Sequence, residues 1–183
     1  MKKLLDSTTG MPISACTHKK TLPCGSASFC ELSTDLLRLG NTLRFRAQGI
    51  SMTPLVRDGD ILEVAPAAGK AIQLGDIVLS SVVPGKVVVH RVVGIENRAE
   101  DHYYLIQGDR APTPDGWVHR AQVFGKLTSL ERNGQVIHMQ NPLMRTLSQV
   151  VIWRTRRHPN RAQLIHTLGV FIKHLPVFNR LLA

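Results

Sequence analysis

The sequence has few cysteines, few aromatics and no long apolar run, and each shortage excludes something. Its three cysteines, Cys16, Cys24 and Cys30, all fall within the first 30 residues. An odd count at these spacings is neither a disulfide framework nor a zinc-ligand pattern, so reduced thiols in a reducing compartment are expected. Phe, Trp and Tyr make up only 5% of the chain. They are not interleaved with basic residues, as a stacking platform for single-stranded nucleic acid would require. No window approaches the roughly 18 consecutive apolar residues of a membrane-spanning helix. The N-terminus opens Met1-Lys2-Lys3-Leu4-Leu5, but Asp6, Ser7, Thr8 and Thr9 interrupt it before an apolar region forms. No cleaved export signal is therefore expected. Internal repeats with a period of about 20–50 residues are absent as well.

What is present is globular composition. Of 183 residues, 43% are hydrophobic and 20% charged, which suits one folded domain with short extensions. Lys and Arg number 23 against 13 Asp and Glu, a net charge of +10. An excess of that size calls for an anionic neighbour: nucleic acid, a membrane surface or an acidic partner.

Three segments are expected along the chain. Residues 1–42 form an N-terminal extension. Ser, Thr, Gly, Pro and Lys dominate it up to residue 27. Phe29, Leu32, Leu36, Leu37 and Leu39 then recur at helical spacing over 28–39, and Gly40 stops the helix. Residues 43–141 read as a β domain. Its expected strands are Ile61–Val64, Asp76–Val83, Lys86–Glu96, Tyr103–Gln107 and Val123–Arg132. Asn133-Gly134 between two apolar runs is a strong two-residue hairpin signal, pairing Leu127–Arg132 with Gln135–Met139. Residues 142–183 read as a basic, amphipathic, helical tail with no acidic residue. Such a tail either packs on the β domain with a solvated basic face or lies on an anionic membrane surface.

Four local patterns stand in order inside the β domain. They are Gly49-Ile50-Ser51-Met52-Thr53-Pro54 with Gly59-Asp60, then Leu74-Gly75-Asp76, then Val87–Val93 around His90-Arg91, then Gly108-Asp109 with Pro114-Asp115-Gly116. Ser51 lies between a glycine and a proline-containing turn, which can hold a hydroxyl at a strand edge near backbone N–H groups. A hydroxyl is a poor nucleophile until a base takes its proton. His90 sits in an apolar strand, where a polar ring needs a partner, and a neutral imidazole is a base near pH 7. Asp115 in its turn can orient that ring. Singly, each residue has an ordinary structural role; jointly and in this order, they fit nucleophile, base and orienter.

From Phe45 to about Arg132 the sequence resembles the shared catalytic domain of type I signal peptidases and LexA-like self-cleaving proteins. Ser51-Met52 with Pro54 and Gly59-Asp60 resembles the nucleophile box, which implies Ser51 as nucleophile. Val89-His90-Arg91-Val92 is similar to the histidine-base branch, the endoplasmic-reticulum, archaeal and sporulation-type signal peptidases. Other branches place lysine there. Gly108-Asp109 with Asp115 resembles the acidic box of that branch. The resemblance implies Asp115 as the triad acid, with Asp109 as runner-up or structural support. Three features depart from the signal-peptidase pattern. Gly49 replaces a serine two positions before the nucleophile, a form closer to the LexA-like box. Arg110 replaces the asparagine after Gly-Asp. The amphipathic segment 28–39 stands where a transmembrane anchor would be.

The resemblance thus implies a mainly β fold: a signal-peptidase/LexA-like catalytic domain with a short N-terminal helix and a helical basic tail. It implies a serine endopeptidase cleaving a peptide or preprotein, with no metal or organic cofactor. The rival from another class is an inactive peptide-binding or membrane-peripheral module on the same fold. Residues 1–42 hold at most one good helix, too few for a helix-turn-helix, so no nucleic acid partner is expected. The location expected is cytoplasmic or peripheral on a membrane, with residues 142–183 touching anionic lipid.

Overall fold

A computed structural model describes residues 27–99 and 101–157. The extension before residue 27, with Cys16 and Cys24, and the tail beyond residue 157 lie outside the described residues.

The expected first helix is α1, Ala27–Arg38, and it buries Phe29, Ser33, Thr34 and Leu37. These positions lie about four residues apart and so share one face. The helix ends where Gly40 and Asn41 donate their N–H groups to the carbonyls of Leu37 and Leu36. Its Phe29 meets Phe45 edge to face at 5.2 Å between ring centroids, a favoured aromatic geometry.

Eight strands follow: β1 Leu43–Arg46, β2 Ile61–Pro66, β3 Ile77–Val83, β4 Lys86–Arg98, β5 Asp101–Gln107, β6 Gly116–His119, β7 Val123–Arg132 and β8 Gln135–His138. All strand pairs are antiparallel. Their spatial order is β1-β2-β7-β3-β4-β5-β6, with β8 added to β7. The sheet curls, bringing Gly116 of β6 near Val82 of β3. The fold is mainly β, as the sequence led one to expect.

Curling divides the apolar side chains into two cores. The larger, under α1, holds Phe29, Leu37, Leu62, Val64, Leu79, Leu127 and Leu130. The smaller holds Val78, Val92, Tyr104, Ile106, Val118 and Val123. Each such side chain, once buried, stabilises the fold by about 1.5–3 kcal/mol. Neighbouring residues of a strand point to opposite faces, so His90 and Arg91 of β4 serve different sides of the sheet.

The five expected strands and the Asn133-Gly134 hairpin all form. Asn133 (φ 51°) and Gly134 (φ 75°) both adopt positive φ, the requirement of a type I′ turn. The structure adds β1 and β6, four residues each, which the sequence reading did not mark as strands. The helical tail begins as α2, Pro142–Arg157. Asn141 caps it by accepting the Leu143 N–H on Oδ1 at 3.0 Å. On this helix, Met144 and Ile152 are buried, whereas Val150 and Trp153 are exposed. Among the described residues no helix is long and apolar enough to cross a membrane.

At Gly125 of β7, Val64 of β2 and Leu37 of α1 pack directly over the backbone. A Cβ there would strike Val64 Cγ1 and would also crowd the Ala65 carbonyl and Leu37 Cδ1 at 3.0 and 3.1 Å. Gly125→Ala should therefore destabilise the domain by about 1–3 kcal/mol, read as a lower denaturation midpoint in urea.

Candidate active site

Ser51 lies in the segment joining β1 to β2. The base of that segment is closed by two backbone hydrogen bonds, Ala47 N–H to Asp60 O (2.7 Å) and Gly59 N–H to Ala47 O (3.0 Å). Gly49 takes φ +93°, and its N–H donates to Asp58 Oδ1 at 2.8 Å. On the other side of the serine, Met52 is only 4% exposed and packs into the larger core. The serine is thus held at the surface between a tight turn and a buried anchor. A further tie comes from β7. Arg132 grips Asp60 with Nε and Nη2 at 2.9 and 2.7 Å, and Nη2 also donates to the Leu55 carbonyl.

His90 is buried in β4, in register with Val78 of β3. Its Nε2 is 2.9 Å from Ser51 Oγ. Its Nδ1 is 2.6 Å from Asp115 Oδ2. A carboxylate only accepts, so the Nδ1–H donates to Asp115. That tautomer leaves the Nε2 lone pair to accept the Ser51 hydroxyl proton. Asp115 itself is fixed just before β6, where its N–H donates to the Ile106 carbonyl at 2.8 Å.

The turn after β5 completes the site. The Arg110 N–H donates to the Ser51 carbonyl at 2.8 Å, and the Asp109 N–H points at Met52 Sδ, 3.4 Å away. Among the described residues the Ser51 N–H has no intramolecular acceptor. It is therefore free to donate to a developing oxyanion, whereas the Gly49 N–H is engaged.

Four candidate site residues stand out in the sequence, Ser51, His90, Asp115 and Asp109, and the structure sorts them. Ser51, His90 and Asp115 come together in one hydrogen-bonded chain. Asp109 does not join it. Both of its oxygens are taken by Arg91, from Nε at 2.6 Å and Nη2 at 2.7 Å. The two side chains are 1% and 2% exposed. The remaining nitrogen, Nη1, donates to the Gly75 carbonyl and to Ser148 Oγ of α2. Asp109 thus lies in a buried ion pair beside the Ser51–His90–Asp115 chain and not in it.

Sequence reasoning assigned no role to Arg91, Arg132 or Asp60. A signal existed for the first. An arginine inside the apolar run Val87–Val93 must be buried, and a buried guanidinium needs a carboxylate. Among the described residues no group of three or more His, Cys, Asp and Glu side chains is arranged to hold a metal ion.

A family model described as Peptidase S24-like matches residues 4–127. That is more than half of the chain and contains Ser51, His90, Asp109 and Asp115, and the chain belongs to this family. No curated protein matches it.

Gly108 offers a sensitive probe of the arrangement. A Cβ there would lie 3.0 Å from the Ser51 carbonyl oxygen, 3.2 Å from His90 Nε2 and 3.3 Å from Ser51 Cβ. Gly108→Ala should push the imidazole off the hydroxyl. Any hydrolytic turnover should fall about ten-fold or more, while thermal unfolding shifts by only a few degrees. Steady-state kinetics beside a melting curve would check both.

Proposed function

We propose that this Peptidase S24-like protein is a serine endopeptidase of signal-peptidase type. It cuts a peptide or protein precursor through Ser51, His90 and Asp115. The observation that carries this reading is the unbroken chain Ser51 Oγ–His90 Nε2 and His90 Nδ1–Asp115 Oδ2, at 2.9 and 2.6 Å. A histidine rather than a lysine as base is the feature that favours the endoplasmic-reticulum, archaeal and sporulation-type branch.

In this reading Ser51 Oγ attacks the scissile carbonyl carbon as its proton passes to His90 Nε2. Asp115 holds the ring in the productive tautomer and stabilises the imidazolium that forms. The Ser51 N–H donates to the oxyanion of the tetrahedral intermediate. Collapse breaks the C–N bond, and the imidazolium protonates the leaving amine. The Ser51 ester remains. Water then attacks it, giving a proton to His90, and the ester bond breaks to release the acid and restore the serine hydroxyl.

Mass spectrometry of a mixed peptide library incubated with wild type and with Ser51→Ala tests the reading. Cuts should appear with the wild type and vanish with the variant, whose fold should be intact by circular dichroism. Cuts that persist with purified Ser51→Ala would sink it.

The base must be neutral to accept the serine proton. Activity, as kcat/KM, should therefore fall on the acid side as the imidazole protonates. A kcat/KM profile with no acid limb would rule out a histidine base.

A further inference from the structure

The segment that carries Ser51 has a second face. There, a polar cleft of about 460 Å³ is lined by Arg46, Arg57, Asp58, Asp60, Glu131 and Arg132, among others. Three guanidiniums meet three carboxylates in it, so a simple count suggests neutrality. The pairing shows otherwise. Asp60 spends both oxygens on Arg132. Glu131 is paired with Arg44, which is not among the lining residues. The Asp58 carboxylate accepts the Gly49 N–H through Oδ1.

A neutral N–H cancels no charge, so among the described residues Asp58 stays an unpaired carboxylate beside two unpaired guanidiniums, and the cleft keeps one excess positive charge. Arg46 donates Nη1 to the Gly59 carbonyl at 2.8 Å and has no carboxylate partner among the described residues. The Arg57 guanidinium makes no hydrogen bond or salt bridge among them either. Its surroundings disfavour its charge. Burial and the nearby Arg132 guanidinium lower its pKa, and Asp60 opposes that shift only in part. A partly buried guanidinium facing another cation, in a cleft where two of the three acids are already paired with other arginines, favours an added anion.

We infer that this cleft is a binding site for a phosphate group, held between the guanidiniums of Arg57 and Arg46. Planar guanidiniums form short, paired hydrogen bonds to phosphate oxygens, and these are stronger than neutral ones. The same segment links the cleft to the nucleophile. Asp58 lines the cleft and holds the Gly49 N–H, two residues before Ser51. A ligand here would therefore rest against the turn that presents the serine. The phosphate can be free or can belong to a small organic ester. The site does not depend on the peptidase reading.

Calorimetric titration of the full-length protein at low salt tests the site. Inorganic phosphate and glycerol 3-phosphate are titrated separately, with chloride as the ionic-strength control. Saturable one-site binding is expected, with a matching rise in melting temperature. Arg57→Gln and Arg46→Gln should each weaken it about ten-fold, and Arg110→Gln, outside the cleft, should leave it unchanged. Tighter binding of the ester would assign the phosphate to an organic ligand; tighter binding of the free ion would assign it to phosphate itself. Absence of saturable binding by either ligand would overturn the proposal. So would wild-type affinity in a folded Arg57→Gln or Arg46→Gln protein.

Discussion

A guanidinium with almost no access to water has to be paired, and Arg91 is such a group, one residue from His90. Among the described residues its salt-bridge partner is Asp109, held by two short hydrogen bonds. A pair this deeply buried adds little net stability, because desolvation offsets attraction. Leaving either charge alone, however, would cost about 3–5 kcal/mol. The pair therefore acts as a geometric constraint. β4 and the turn after β5 must sit where these two side chains meet. His90 on one side and Gly108 on the other inherit their places from it. Gly75 and Ser148 complete the shell and bring the β2–β3 connection and α2 to the same point.

A second pair, Arg132 with Asp60, does the same for the segment that carries Ser51. It too is nearly excluded from solvent, with side chains 7% and 3% exposed. One pair ties β4 to the turn after β5, and the other ties β7 to the segment that carries Ser51. The candidate site residues grade outward from them: His90 is buried, the Asp115 side chain is 29% exposed and Ser51 is exposed. In each case a motif residue next to a buried aspartate is fixed by that aspartate's arginine, contributed from a distant strand.

The sequence marks the candidate site residues more readily than the scaffold behind them. Ser51, His90 and Asp115 are marked by local surroundings: a Gly/Pro turn, an apolar strand, a Pro-Asp-Gly turn. Local chemistry also marks the hairpin, since Asn133-Gly134 favours one turn type. The buried pairs join residues 18 and 72 positions apart. Which carboxylate an arginine finds at that distance depends on strand order, which no local pattern encodes. Asp109 and Asp115 both follow the same strand; the resemblance favours Asp115, and the folded sheet sets Asp109 against Arg91 and Asp115 against His90. β1 and β6 escape sequence reading for another reason. Four residues at a sheet margin give too short a run for alternation to show.

Asp115→Asn and Asp109→Asn, compared on a peptide that the wild type cuts, test the account at its centre. Replacing Asp115 should lower kcat by about three to four orders of magnitude, through loss of the productive tautomer, with the unfolding midpoint nearly unchanged. Replacing Asp109 should instead cost about 3–5 kcal/mol of stability by leaving Arg91 buried and unpaired. An Asp115→Asn protein with wild-type kcat, or an Asp109→Asn protein that is fully stable yet inactive, would contradict the assignment of the two aspartates.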